Sequence, residues 1–230
     1  MIVYGRNPVH EALRGPRGVH RVWTSKGAAR DFERARRASD EELTALCGSP
    51  DHQGVCAEVD PYRYADPDGL LAADDALVVA LDEVQDPRNL GAVCRVAECT
   101  GAAGVVIPER RSAEVTPVVC KASAGAVEHL RIARVRNLAD YLASAKEAGA
   151  WVYGAAADGV PYDRPDYRGR VVVAFGSEGR GLRPRVASAC DELIALPLLG
   201  RLDSLNVSSA ASAVMYGILH FRRFSVDSAP

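Results

Sequence analysis

Apolar positions along this chain fall into short continuous runs separated by amphipathic stretches. Runs at 77–81 (LVVAL), 104–107 (GVVI), 130–135, 151–155 and 171–175 (VVVAF) suit strands buried on both faces. Between them, helical spacing and end signals predict a helix over 89–100 stopped by Gly101 and a short one around 117–122. A third, over 138–148, is capped by Asn137 and stopped by Gly149. An apolar run at 193–198 predicts a further strand, and a polar loop at 200–206 leads into a closing helix over 206–224. In that helix Val207, Ala211, Val214, Ile218 and Phe221 recur at steps of four and three, which marks a buried face. From residue 76 on, the alternation of strands and helices predicts an α/β fold with a mostly parallel sheet covered on both sides.

The first 60 residues read as a smaller α/β unit. A helix starts at Asn7-Pro8 and runs through Leu13, and a strand occupies 21–24. A charged helix covers 28–38, a second helix starts at Glu41 under a Ser39 or Asp40 cap, and a strand over 54–59 closes the unit. Residues 61–75, rich in Pro, Asp and Gly, are expected to be a linker with a short helix at 69–73. The second domain then spans 76–224, and 225–230 is expected to be a disordered tail.

Composition narrows the class. With 48% hydrophobic and 25% charged residues among 230, the chain has the balance of an ordinary soluble globular protein with one sizeable core. No apolar run approaches the roughly 20 residues of a membrane span. The N-terminus lacks a basic segment followed by an apolar one, so secretion is not expected. The six cysteines are scattered without a CxxC or a nearby His pair. Buried free thiols in a reducing cytoplasm are expected, with no metal site and no disulfide framework. A net charge of −2 argues against a general polyanion binder. Residues 1–37 nevertheless hold nine Arg/Lys against three acids, an excess that either tracks phosphates or solvates a helix face.

Candidate chemistry concentrates in three places. The 171–175 strand breaks into Gly176-Ser177-Glu178-Gly179-Arg180-Gly181, where three glycines let the backbone turn sharply and approach a ligand. The spacing is wrong for a dinucleotide fingerprint, and no Gly-Lys-Ser/Thr follows to make a phosphate loop. The second place is the segment 82–92 (DEVQDPRNLGA) with Arg95 beyond it, and the third is 202–208 (LDSLNVS). Strand ends feeding two of these loops converge on one crevice at the carboxyl edge of the sheet, where open α/β sheets bind ligands. Asn89 is placed to cap its helix, to serve the site, or both; Asn206 is placed to cap the closing helix.

The three motifs, in this order and at this spacing, resemble those of the SpoU-type branch of the SPOUT RNA methyltransferases, over nearly all of residues 77–223. Tyr4-Gly5-Arg6-Asn7-Pro8-Val9 and His52-Gln53-Gly54-Val55 are similar to the substrate-binding extension of the family's rRNA guanosine 2′-O-methyltransferases, an L30e-like fold. The resemblance implies a deep C-terminal trefoil knot, an S-adenosylmethionine site within it, a homodimer, and 2′-O-methylation of a ribose in RNA, an rRNA guanosine first. It implies cofactor roles for Gly176, Gly181, Leu196, Ser204 and Leu205. Asn89, Arg95, Glu178 and Asn206 are implied in catalysis, and Arg6, Arg95, Lys121 and Ser123 in RNA contact.

Several of these positions also have plain structural readings. The leucines could be core, Arg95 a surface arginine paired with Glu98 or Asp86, and Glu178 a loop anchor, a partner of Arg95 or a solvated carboxylate. The family's arginine is often assigned as the base. Because a guanidinium stays protonated in nearly every setting, Arg95 is expected instead to hold the target phosphate and stabilise the developing alkoxide. Three other readings stay open: the same reaction on tRNA, on an rRNA adenosine, or a non-catalytic RNA-binding role in ribosome assembly. The N-terminal unit speaks against tRNA, and the intact motif residues speak against the non-catalytic role.

Overall fold

The computed structural model describes residues 1–28, 30–32 and 34–224. A four-stranded N-terminal sheet contains β1 (Ile2–Tyr4), β2 (Val19–Thr24), β3 (Arg36–Arg37) and β4 (Val55–Val59) in the order β1-β4-β2-β3. β4 runs antiparallel to β1 and β2, while β3 runs parallel to β2. Helices α1 (Arg6–Arg14) and α2 (Asp40–Cys47) accompany it. α2 opens with a complete capping box: Ser39 accepts from the Glu42 amide, and Glu42 accepts from the Ser39 amide.

The charged helix expected over 28–38 does not form. Residues 26–28 and 30–31 are turns, and Arg36–Arg37 pairs with Trp23 and Thr24 as an edge strand. Phe32 and Ala28 are buried there, so tertiary burial of two apolar residues overrides the local helical preference of the charge run. Residues 29 and 33, and the tail expected at 225–230, lie outside the described residues.

The second sheet holds β5 (Leu77–Asp82), β6 (Gly104–Pro108), β7 (Ile132–Val135), β8 (Trp151–Pro161), β9 (Val171–Gly176) and β10 (Glu192–Ala195). All six strands are parallel, in the order β10-β8-β9-β5-β6-β7. Strand alternation sends Leu77, Val79 and Leu81 of β5 to one face and Val78 and Ala80 to the other. The first face packs on α3 (Pro87–Cys99), α4 (Pro117–Ala122) and α7 (Val207–Phe224). The second face packs on α5 (Leu138–Glu147) and the short α6 (Pro184–Ala187). Val171 to Phe175 are buried throughout, as a strand covered on both sides requires. β8 runs six residues beyond the expected Ala155, because Val160 and Pro161 pair with β10 after a register shift.

Residues 61–75 are not a loose connector. The Tyr62 hydroxyl donates to the Leu130 carbonyl at 2.8 Å, the Tyr64 hydroxyl accepts from the Val115 amide at 3.0 Å, and Ala65 pairs with Ala133 at the edge of β7. Asp68–Leu71 forms a 3-10 turn that buries Leu70 and Leu71. Across the same seam Arg17 donates both from Nε, at 3.0 Å, and from Nη2 to the carboxylate of Glu128; both side chains are nearly inaccessible. One apolar core runs through both units. The six cysteines are free thiols; Cys56, Cys94 and Cys120 are buried and Cys99 is exposed, against the expectation of burial for all.

Candidate active site

Three segments meet at the carboxyl ends of β5 and β9. The first is the start of α3, where Asp86, and not Asn89, is the cap: its carboxylate accepts from the Arg88 amide at 2.7 Å. That leaves Asn89, the third residue of the helix, free to use its carboxamide elsewhere. The second is the glycine loop, folded back on itself by a Ser177–Gly181 bridge, with Gly179 and Gly181 at φ 76° and 64°. The third is the segment before α7. Asn206 caps α7 through its side-chain oxygen, which accepts from the amide and hydroxyl of Ser208.

These segments join in a triangle of side chains. Asn89 Nδ2 donates to Glu178 Oε1 at 2.9 Å, and Asn206 Nδ2 donates to Asn89 Oδ1 at 3.1 Å and to the same Glu178 oxygen. Asn206 is thus cap and site residue at once. Glu178 pairs with the two amides and not with Arg95.

Gly176 is required by packing within the loop: a Cβ there would lie 1.9 Å from the Gly181 carbonyl carbon. Beside it opens a cavity of about 420 Å³, within the range of small-molecule sites. All five expected cofactor residues (Gly176, Gly181, Leu196, Ser204, Leu205) line it. So do Ala155, Ala156 and Ala157 at the bend of β8, together with Ile194, Ala210 and Val214, which sequence reading did not single out. Small alanines in mid-chain carry no signal until β8 is known to end its first half there. Glu178 and Asp203 are the carboxylates of the lining.

A second pair of residues was equally illegible. Asp82, fully buried at the end of β5, accepts from the Arg183 amide at 2.8 Å, from Nε at 2.8 Å and from Nη2 at 2.6 Å. Arg183 Nη1 also lies 3.1 Å from Glu83. The clamp fixes the end of the glycine loop to the strand that leads into α3. Glu83 itself has φ 55°, a conformation that costs a non-glycine residue on the order of 1 kcal/mol.

The RNA-contact expectations divide. Arg95 is exposed on α3 with no hydrogen bond or ion pair to any described residue, so the pairing with Glu98 or Asp86 is absent. Arg6 is half exposed, donating to the Gly27 carbonyl at 3.3 Å and facing Asp31 at 3.7 Å. Lys121 sits over the Tyr4 ring at 6.0 Å, and partial burial lowers its pKa. Ser123 is a correction: it is buried and donates to the Cys120 carbonyl at the end of α4, so it is not presented to a ligand. The close packing there depends on Gly91, where a Cβ would meet Ala122 Cβ at 2.5 Å and the Ser123 backbone nitrogen at 3.0 Å.

A parallel sheet whose strand ends hold a small-molecule cavity against a carboxylate–amide triangle is an open α/β fold with its ligand site at the carboxyl edge. Residues 76–216 match the SpoU rRNA Methylase family, and residues 2–65 match the RNA 2′-O ribose methyltransferase substrate-binding family. The chain belongs to the SpoU methylase family and is an RNA methyltransferase. It is 41% identical over 241 residues to an uncharacterized tRNA/rRNA methyltransferase of Mycolicibacterium vanbaalenii, covering 96% of this chain and 77% of that one. With the putative TrmH family tRNA/rRNA methyltransferase YacO of Bacillus subtilis it shares 39% over 246 residues, covering 96% and 95%. The fold is shared with the SpoU methyltransferase AviRb from Streptomyces viridochromogenes, solved in complex with AdoMet. The TM-score is 0.78 and the identity 23%, covering 96% of this chain and 90% of that one.

Proposed function

We propose that the chain methylates the 2′-hydroxyl of a guanosine in large-subunit rRNA, with S-adenosylmethionine as donor and two copies of the chain forming the working enzyme. The observation that carries this reading is the Asn89–Glu178–Asn206 triangle standing on the rim of the apolar cavity. The cavity fits the donor by chemistry: alanines and leucines suit an adenosine, and Glu178 and Asp203 oppose a sulfonium charge. S-adenosylmethionine supplies an electrophilic methyl group when bound. Gly176, Leu196 and Leu205 hold it through backbone groups and apolar cover, and Gly181 and Ser204 close the walls. The dry lining favours a reaction that moves toward neutral products.

The two asparagine amides fix one oxygen of Glu178, so that its carboxylate keeps a single orientation at the rim. Arg95, permanently charged, holds the target phosphate and stabilises the developing alkoxide, while neighbours or water take the proton. Arg95 follows Asn89 by six residues, about 120° away around the helix, and touches no member of its own triangle. A second copy brings such an arginine across. Tyr216, His220 and Phe224 form an exposed stripe on α7 available for that contact. The trefoil knot belongs to the same reading, which the clasp of Asn206 against the glycine loop supports. The substrate-binding match over 2–65, fixed rigidly to the methylase domain, favours rRNA over tRNA.

The test is transfer of labelled methyl groups to unmethylated rRNA and tRNA transcripts, with wild type and Arg95→Ala side by side. Label in rRNA that survives base removal and disappears in the variant supports the reading. Label in tRNA alone overturns the substrate, and light scattering that returns a monomer under assay conditions overturns the two-copy site.

A further inference from the structure

Beside the donor cavity lies a second one, of about 270 Å³, bounded by Glu83, Gln85, Asp86, Asn89, Glu178 and Arg180. The two share Ser177, Glu178 and Val207 as a common wall. A nucleophile must reach a transferable methyl from the side opposite its leaving group, so the acceptor has to sit in a compartment abutting the donor's. This cavity meets that requirement, and the triangle stands between the two.

The lining is specific. Glu83 holds a left-handed backbone conformation (φ 55°) that places a non-glycine residue under strain at the cavity edge. Its Oε1 lies 3.1 Å from Arg183 and 3.8 Å from Arg111, and neither carboxylate oxygen accepts a hydrogen bond from a described residue. A carboxylate so oriented by two cations keeps both oxygens open to accept hydrogen bonds. Of the four RNA bases, guanine alone presents two adjacent donors, N1–H and the N2 amino group, which a carboxylate accepts side by side. Adenine and cytosine place a bare ring nitrogen there, and uracil a single N–H between carbonyls. Gln85, whose carboxamide donates as well as accepts, suits the neighbouring O6. Arg180, exposed and without an ion pair among the described residues, suits the flanking phosphate.

We propose that this cavity receives the nucleoside to be methylated and that Glu83 makes it selective for guanine. The inference rests on the methyl-transfer reading above and adds to it the residue that chooses the base.

The experiment maps the methylated nucleotide made by wild type, then uses short synthetic RNAs carrying guanosine, inosine or adenosine at that position. Inosine lacks only the N2 amino group. Wild type is expected to lose about 10-fold in kcat/KM with inosine and about 100-fold with adenosine. In Glu83→Gln, guanosine and inosine should fall within about twofold of each other, with the dissociation constant for S-adenosylmethionine unchanged. The inosine comparison in wild type needs no variant and so survives any folding defect, and Gln85→Ala provides a second variant. A mapped nucleotide other than guanosine, or Glu83→Gln with wild-type base preference, overturns the assignment and leaves methyl transfer standing. A folded, cofactor-binding wild type that labels no RNA overturns both.

Discussion

The donor cavity and the polar triangle beside it are built in opposite ways. The cavity is walled by backbone and small apolar side chains at the ends of adjacent strands, from Ala155–Ala157 and from Phe175 to Gly181. The triangle and its clamp are made of side chains far apart in sequence: 89 residues separate Asn89 from Glu178, 117 separate Asn89 from Asn206, and 101 separate Asp82 from Arg183. In the reading proposed above, shape serves a donor that is the same in every turnover. In the same reading, directed polar bonds serve an acceptor that must be chosen and activated. Damage on one side should therefore appear as lost donor affinity and damage on the other as lost turnover.

Arg95→Ala is the largest test of that separation: turnover should fall by about 100-fold or more while donor affinity stays put. Single-turnover methyl transfer beside calorimetric titration of S-adenosylmethionine checks it, and a parallel loss of both would erase the distinction. Gly176→Ala attacks the other side. Its Cβ cannot coexist with Gly181, so the loop must shift at a cost of about 1–3 kcal/mol. Donor affinity should drop by about 100-fold at this position, and a thermal melt reports the strain.

Asp82→Asn sharpens the comparison further. Breaking a fully buried pair costs about 3–5 kcal/mol, but Arg183 is partly exposed and can turn to water, so about 1–3 kcal/mol is expected. kcat should fall about tenfold with donor affinity within about twofold, because the clamp positions the loop end without touching the donor. A larger effect on affinity than on kcat would move the clamp to the donor side. Leu205→Ala is the mildest: its side chain is 48% exposed, so donor affinity should change by less than about threefold.

What the sequence made legible follows the same division. The apolar runs placed all six parallel strands, and helix-end signals placed α4, α5 and the Ser39 cap. Asn89, Glu178 and Asn206 were legible because they sit in compact motifs, and so was the Asn206 cap; the cap of α3 was not, because Asp86 sits three residues ahead of Asn89 and satisfied the helix first. The end of β8 and the alanines there were hidden, because what lengthens that strand is pairing with β10, 34 residues on from Val160 to Ile194. Asp82 and Arg183 were hidden by distance, since no local pattern marks two charges that meet only after the sheet is assembled. The misread stretch at 28–38 shows the converse, a strong local pattern overruled by burial of Phe32.

The seam between the two units has one further consequence. With Arg17 paired to Glu128, Tyr62 and Tyr64 bonded across, and Ala65 paired at the sheet edge, the N-terminal unit is packed directly onto the methylase unit. On the proposed rRNA reading, the two units act as the jaws of a caliper: an RNA gripped at one end presents to the other the nucleotide lying at the set span, so architecture filters candidates by reach before any base is read.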